Sequence, residues 1–144
     1  MRLTLYSDYL VRVLIHAALR SPELVTVSEV AETFGVSRHH LVKVVHELGS
    51  CGYLETRRGI GGGFRLGRAP EDIVLGDLIR LGEDSATVID CRECRHRDCP
   101  LAPACRLRDV LDEASDAFFA VLDRYTLKDL LGKPERLRQL LGIE

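Results

Sequence analysis

The sequence lacks any apolar run long enough to cross a membrane, lacks a secretory signal and has almost no net charge. No stretch of about eighteen consecutive apolar residues occurs in its 144 residues, so we expect no membrane-spanning helix. The first residues, Met1-Arg2-Leu3-Thr4, do not begin an apolar signal core. We therefore predict a cytoplasmic protein without a membrane partner.

The formal net charge of −2 conceals an uneven distribution of charge along the chain. Residues 38 to 68 contain six Lys or Arg, two acidic residues and three histidines. Residues 69 to 144 instead contain sixteen acidic residues and eleven Lys or Arg. A basic segment joined to an acidic one favours a phosphate-facing part followed by a separate assembly part.

A first helix is predicted to follow Ser7, because Leu10, Val13, Leu14 and Ala17 recur at helical spacing. Two short helices separated by a tight turn are predicted after it, in the first third of the chain. Thr26 and Glu29 have the spacing of a capping box, which opens the first of these two. Gly35 can take the left-handed conformation that ends it, and Ser37 can cap the next one. This arrangement matches a helix-turn-helix, in which residues 38 to 49 would form the recognition helix. The alternative is that the same geometry serves only as structural packing.

A β-hairpin with a glycine-rich tip is predicted next. Residues 53 to 57 and 64 to 66 have strand character, and Gly59-Ile60-Gly61-Gly62-Gly63 lies between them. Basic residues on both arms and a tip with few side chains would let the backbone approach a phosphate or enter a minor groove. A nucleotide-binding loop is disfavoured, because no Gly-Lys-Ser/Thr sequence ends the glycine run.

A long amphipathic helix is predicted from residue 106. Its apolar residues recur at alternating spacings of four and three, the a/d pattern of a helix–helix seam. These residues are Leu107, Leu111, Ala114, Phe118, Val121 and Tyr125. A seam of about twenty residues favours a homodimer contact. Packing of this helix on the chain's own domain is the alternative.

Four of the five cysteines lie within fifteen residues, in the pattern Cys91-x2-Cys94-x4-Cys99-x5-Cys105. Without a secretory context, such a cluster indicates metal or redox chemistry rather than disulfides. Only one pair is closely spaced, whereas structural zinc sites usually have two close pairs. The wider spacing favours an iron–sulfur cluster, and zinc or a bare thiol switch remain the alternatives.

Taken together, these segments resemble the Rrf2 family of bacterial regulators along essentially the whole chain. The matching segments are Met1-Arg2-Leu3-Thr4 with Asp8-Tyr9, residues 35 to 43, residues 58 to 66, Cys99-Pro100-Leu101 with residues 104 to 107, and residues 125 to 130. Within that family the chain is most similar to the repressors that sense nitric oxide. The resemblance therefore implies a DNA-binding repressor with a [4Fe-4S] cluster that responds to nitric oxide.

The same resemblance implies a set of cluster ligands. These are Cys91, Cys99 and Cys105, with Asp8 supplied by the partner subunit. The seven residues between Cys91 and Cys99 exceed the usual spacing of the nitric-oxide-sensing repressors, so Cys94 is a candidate substitute ligand. This longer gap resembles the iron-responsive members of the family, which makes iron the alternative signal.

A [2Fe-2S] cluster is less favoured than a [4Fe-4S] cluster. Family members with a [2Fe-2S] cluster have a histidine ligand shortly after the last cysteine, where this chain has Arg106, Leu107 and Arg108. Zinc is also less favoured. An enzyme is not expected, because no cofactor-binding loop or acid–base pair accompanies the cysteines.

The predicted partner is double-stranded DNA with a pseudo-palindromic operator, bound by a homodimer. Arg38 and His40 are the candidates for contacts with base edges. The candidates for contact with phosphate are Lys43, Arg57, Arg58 and Arg65. The full set of predicted DNA-binding residues is Ser28, Ser37, Arg38, His39, His40, Lys43, Arg57, Arg58, Gly59, Gly61, Gly62 and Arg65.

The sequence thus predicts a mainly α protein with a winged helix-turn-helix, a small β-hairpin wing and a long C-terminal dimerisation helix. We expect the DNA-binding domain to span residues 1–85. The cysteine-rich, cluster-binding loop would span residues 86–105. The dimerisation helix and the C-terminal helices would span residues 106–144.

Overall fold

The computed structural model describes residues 2–83, 99–100 and 102–143. Within these residues the chain is mainly helical, with one two-stranded antiparallel sheet, as the sequence predicts. In chain order, the elements are α1 (Leu5–Arg20), α2 (Val27–Phe34), α3 (Arg38–Ser50), β1 (Leu54–Arg57), β2 (Gly63–Leu66), α4 (Leu75–Gly82), α5 (Arg106–Leu122), α6 (Leu127–Leu131) and α7 (Pro134–Leu141). No helix in this described part of the chain is both long enough and apolar enough to cross a membrane.

Helix α1 begins earlier than its sequence pattern indicates. Thr4 caps the helix, and its hydroxyl oxygen accepts a hydrogen bond from the Ser7 N–H at 3.2 Å. Ser7 has the chemistry of a cap and was expected to precede the helix. Instead it lies inside the first turn, where its buried hydroxyl donates to the Glu83 carboxylate at 2.5 Å. Glu83 also accepts from the Thr4 N–H, so it fastens the start of α1 to the end of α4.

One hydrophobic core connects α1 with α3, α4, α6 and the hairpin. The apolar face of α3 is buried in this core: Leu41, Val44, Val45 and Leu48. Leu10 and Leu14 of α1 and Phe64 of β2 are also fully buried. Burial of these side chains fixes α3 against the rest of the fold and leaves its other faces for solvent.

The predicted capping box and the turn after it are confirmed. The Thr26 N–H donates to the Glu29 carboxylate at 2.6 Å, and the Glu29 N–H donates to the Thr26 hydroxyl at 3.2 Å. Gly35 ends α2 with a φ of 62°, a left-handed conformation that glycine adopts without steric cost. Ser37 occupies the cap position of α3, but its side chain makes no capping hydrogen bond.

The hairpin is attached to the helix-turn-helix at both strands. Its register pairs Leu54 with Leu66 at one end and Arg57 with Gly63 at the other. The segment before α2 also pairs with β2, because Val25 and Phe64 exchange two backbone hydrogen bonds of 2.8 Å. The wing is therefore held in place by the element that leads into α2.

Helix α5 ends at Leu122, before Tyr125, the last residue of the predicted seam. Its buried residues, Ser115 and Phe119, lie on a different face from the seam. Arg80 of α4 covers the Phe119 ring at 4.4 Å. The Arg80 guanidinium also binds both carboxylate oxygens of Asp123, at 2.7 and 2.8 Å. These contacts join α5 to the N-terminal part of the chain.

The chain after α5 returns to the core. The Asp129 carboxylate accepts hydrogen bonds from the Thr126 N–H at 2.7 Å and from the Thr126 hydroxyl at 2.9 Å, so these two residues form the capping box of α6. Val74 and Thr126 form an isolated bridge, and Leu127 is fully buried. The short helix α6 is therefore packed beside α1 and beside the segment that leads into α4.

Candidate nucleic-acid interface and metal ligands

Helix α3 presents a basic and aromatic surface on the side opposite its buried face. Arg38, His39, His40 and Lys43 are all exposed. Within the described part of the chain, neither Arg38 nor Lys43 forms an ion pair with an acidic residue. Their charges are therefore available to an anionic partner such as a phosphate backbone.

The wing carries a second set of basic residues. Arg57 and Arg58 are exposed and, among the described residues, form no ion pair. Arg65 differs, because its guanidinium binds the Glu55 carboxylate across the hairpin with N–O distances of 2.8 and 2.9 Å. Glu55 and Arg65 are directly opposite in the register. The charge of Arg65, a predicted phosphate contact, is thus compensated within the chain.

The tip of the wing is a tight turn. The Gly62 N–H donates to the Gly59 carbonyl at 3.0 Å, while Gly59 and Gly61 have φ values of 96° and 71°. A side chain at Gly62 would collide with the carbonyl oxygen of Arg57. Ile60 is the one residue of the turn with a side chain, and it is fully exposed. The glycine-rich pattern indicated a tip with few side chains and gave no sign that Ile60 would be exposed at its apex.

The first turns of α1 contact the recognition helix directly. The Tyr6 hydroxyl donates a hydrogen bond to the Glu47 carboxylate. Burial raises the pKa of Tyr6 above its ordinary value, and the hydrogen bond and charge of Glu47 add to this shift, so the phenol remains a donor. Tyr9 stacks on His40 with ring centroids 6.2 Å apart.

A cleft of about 320 Å³ lies at this junction, lined by Leu5, Tyr6, Tyr9, His40 and Lys43. From the sequence, Tyr9 was expected only as part of a family motif, and no role was expected for Tyr6. The two tyrosines lie on either side of Asp8 in the sequence, and this local pattern was the signal that could have pointed to a contact between α1 and the recognition helix.

Asp8 lies in the first turn of α1 at the protein surface. Its carboxylate accepts from the Arg12 guanidinium at 2.7 Å, and both side chains are roughly two-fifths exposed (43% and 40%). Arg12 in turn lies over the Phe34 ring of α2, 5.4 Å from its centroid. A metal or cluster that used Asp8 as a ligand would have to share this carboxylate with Arg12 or displace it.

Cys99 and Cys105 are free thiols with intermediate burial. Cys105 occupies the cap position of α5, but its side chain makes no capping bond, so the sulfur is not engaged there. Cys91 and Cys94 lie outside the described residues. Soft thiolates such as these suit an iron–sulfur cluster or zinc.

The described residues do not complete a metal site within one chain. No group of three or more His, Cys, Asp or Glu among them is arranged to hold a metal ion. Asp8 therefore does not join Cys99 and Cys105 in a single chain. Cys51 is separate from this set, because it ends α3 and packs against the hydrophobic core.

Most of the predicted seam of α5 is left uncovered by the chain itself. Leu107, Val121 and Tyr125 are 62%, 45% and 48% exposed, and Ala114 is also exposed, whereas Leu111 and Phe118 are half-buried. Val110, next to the seam, is 53% exposed. Exposure on this scale argues against the alternative that the seam packs on its own domain. An apolar stripe of this length needs a partner to be removed from water.

Comparisons with known proteins agree with this architecture. A family model named Rrf2, described as an iron-dependent transcriptional regulator, matches residues 3–133. The HTH-type transcriptional regulator NsrR of Bacillus subtilis (strain 168) is 46% identical over 145 residues, which cover 100% of this chain and 99% of that protein.

Two solved structures extend the comparison to the fold. CymR (YrzC), the global cysteine regulator of B. subtilis, is 27% identical with a TM-score of 0.72, over 92% of this chain and 97% of that chain. IscR of T. potens is 25% identical with a TM-score of 0.73, over 96% of this chain and 91% of that chain. The relatives whose names state a role are regulators, which supports the expectation that the chain is not an enzyme.

Proposed function

The chain belongs to the Rrf2 family of transcriptional regulators, and from this premise we propose that it is a homodimeric repressor that senses nitric oxide through a [4Fe-4S] cluster. The observation that carries the proposal is the pair of free, partly exposed thiols, Cys99 and Cys105, immediately before α5. We assign DNA binding to residues 1–85, cluster binding to 86–105 and dimerisation to 106–144. The repressor would act in the cytoplasm.

The proposed ligands are Cys91, Cys99 and Cys105, with Asp8 from the partner subunit. Cys94 is the substitute for Cys91. When bound, the cluster would supply iron with which nitric oxide reacts. The chain's own part is to supply soft thiolates, which suit a [4Fe-4S] cluster better than the alternatives of a [2Fe-2S] cluster or zinc.

Dimerisation is proposed along the exposed seam of α5. Two copies that bury Val110, Ala114 and Val121 against each other would remove the apolar stripe from water. A twofold axis through this contact would place two recognition helices on the same side of the dimer. Such a dimer fits a pseudo-palindromic operator with half-sites one helical turn apart.

The proposed DNA contacts divide into two kinds. Arg38 and His40, in the first turn of α3, would read base edges in the major groove. The other polar and basic side chains of the two motifs would position the protein on phosphates: Ser28, Ser37, His39, Lys43, Arg57, Arg58 and Arg65. Gly59, Gly61 and Gly62 would let the backbone of the wing approach the duplex closely.

The contacts between α1 and α3 support a route from cluster to DNA. Asp8 lies between Tyr6, which binds Glu47, and Tyr9, which stacks on His40. Asp8 would be a ligand of the cluster through a carboxylate that pairs with Arg12 in the single chain, and an exchange between these two partners would shift the first turn of α1. The two tyrosine contacts would transmit that shift to the recognition helix.

Iron availability is the second candidate signal. The seven-residue gap between Cys91 and Cys99 favours it, and so does the iron-dependent regulator named by the family model. In that case loss of iron, rather than nitric oxide, would release DNA.

The experiment that tests this proposal is a DNA titration under anaerobic conditions, with a duplex selected by the protein from a random-sequence library. We expect tight binding by the parent and release on addition of nitric oxide. Cys99→Ala should bind weakly and no longer respond, whereas Cys51→Ala, the same change outside the ligand set, should resemble the parent.

The outcomes separate the candidates. A Cys99→Ala protein that binds and responds like the parent contradicts the cluster proposal. Release by a mild iron chelator, with little effect of low nitric oxide, assigns the signal to iron instead.

A further inference from the structure

We propose that Ile60, at the tip of the wing, is an apolar wedge that enters the DNA minor groove and favours A·T pairs at the flanks of the operator. The inference rests on the proposed DNA-binding function and adds a specificity-determining residue to it. The observation is a fully exposed isoleucine at the tip of the hairpin, two residues after the exposed pair Arg57 and Arg58.

The turn geometry dictates where Ile60 lies. The hydrogen bond from the Gly62 N–H to the Gly59 carbonyl closes a four-residue turn, with Ile60 and Gly61 as its central residues. The positive φ of Gly61 is characteristic of a type II turn, which needs glycine at this position. Ile60 is therefore the apex of the hairpin.

The hairpin that carries Ile60 is anchored at its base to neighbouring elements of the fold. Phe64 of β2 is buried in the core and exchanges two backbone hydrogen bonds with Val25. On the other strand, the Tyr53 N–H donates to the Leu48 carbonyl at the end of α3. These contacts anchor the base of the hairpin to α3 and to the segment before α2, and so place the turn that carries Ile60 on the same side of the protein as the recognition helix.

The surroundings of Ile60 favour DNA over a protein partner. Arg57 and Arg58, immediately before the turn, form no ion pair among the described residues and can contact the phosphates that line the groove. Minor-groove proteins use Ile, Leu or Phe in this way, as wedges between base steps. A lone exposed isoleucine is not unusual by itself, but Ile60 is distinguished by its place at the apex of a hydrogen-bonded turn and by the two arginines beside it.

The expected preference follows from the groove floor. A G·C pair places the guanine 2-amino group there, and an apolar side chain would bury that donor without a partner. A·T pairs lack this group, and T-A steps are also the easiest to unstack. Ile60 should therefore be most favourable against A·T-rich flanks.

The test compares Ile60→Val with Ile60→Thr. Valine and threonine have nearly the same shape, but valine has a methyl group where threonine has a hydroxyl. Each protein first selects duplexes from a random-sequence library in the anaerobic state that binds DNA. Affinities are then measured on the parent's selected duplex with its flanking A·T pairs kept, changed to G·C, or changed to inosine·C, which lacks the 2-amino group.

We expect the parent and Ile60→Val to bind the G·C duplex about tenfold more weakly than the A·T duplex. Their affinity for the inosine duplex should return to that for the A·T duplex. Ile60→Thr should lose about tenfold on the A·T duplex and hardly distinguish the three. Because no charge is removed, the slope of affinity against salt should be the same for all three proteins.

Two results would overturn the inference in distinguishable ways. If Ile60→Thr binds and discriminates like the parent, Ile60 has no role at the flanks, while the proposed DNA-binding function stands. If the parent enriches no common sequence, the proposed function fails and the inference fails with it.

Discussion

Replacing Gly63 by alanine should detach the wing from the helix-turn-helix. A Cβ at Gly63 would lie 2.5 Å from the carbonyl oxygen of Val25 and 3.1 Å from its carbonyl carbon. Both atoms belong to the backbone, so the conflict cannot be relieved by a side-chain rotation. Gly63→Ala must therefore push β2 away from the segment that leads into α2.

The cost can be worked from the contacts that this movement breaks. Val25 and Phe64 exchange two hydrogen bonds of 2.8 Å, each worth about 0.5–1.5 kcal/mol net. Removing a glycine also stiffens the unfolded chain, which returns about 0.4–1 kcal/mol. With some loosening of the buried Phe64 ring, we expect the free energy of unfolding to fall by about 2 kcal/mol.

The assay is urea denaturation of metal-free parent and variants, prepared identically and followed by circular dichroism. Gly49→Ala is the matched control, because an added Cβ there meets only the Thr56 methyl at 3.4 Å. Since alanine favours a helix, this control should be neutral or more stable by up to about 1 kcal/mol. A Gly63→Ala protein as stable as the parent would refute the reasoning about the wing.

Three further predictions concern the dimer, the wing charge and the core. Ala114→Glu places a charge on the exposed seam of α5 and should raise the dimer dissociation constant at least about tenfold in sedimentation experiments, whereas Ala120→Glu, exposed on another face, should leave it unchanged. Glu55→Gln removes the ion pair of the Arg65 guanidinium, so the affinity for a random-sequence duplex should rise. The slope of log affinity against log salt concentration should steepen by about 0.9 for each added phosphate contact. An unchanged slope would show that Arg65 does not reach phosphate. Burial lowers the pKa of His16 below its ordinary 6.5. Below about pH 6.5 the unfolded chain therefore binds a proton at His16 while the folded chain does not, so the free energy of unfolding should fall as the pH drops toward the folded pKa. His16→Gln should remove this part of the pH dependence, and equal slopes for the two proteins would contradict the assignment.

Features with local signals were predictable from the sequence. The capping box of Thr26 and Glu29 and the turn at Gly35 depend on residues within one turn of each other, and both are found as expected. The hairpin was predictable as well, because its signal, β-forming residues on either side of a glycine run, is also local. Local chemistry of this kind needs no knowledge of the tertiary fold.

Features that depend on distant partners were not predictable. Ser7 looked like a helix cap, but its partner is Glu83, far along the chain. The pairing of Tyr6 with Glu47 likewise needs α1 and α3 to be packed together. Arg65 lies between these cases, because the hairpin register was needed to see that Glu55 compensates its charge.

Native mass spectrometry of anaerobically purified protein tests the central claim most directly. The proposal predicts a dimer that carries the mass of two [4Fe-4S] clusters, which should be lost in Cys99→Ala and kept in Cys51→Ala. A dimer with zinc, or with no metal, would contradict the gas-sensing proposal and leave an Rrf2-family regulator whose signal must be sought elsewhere.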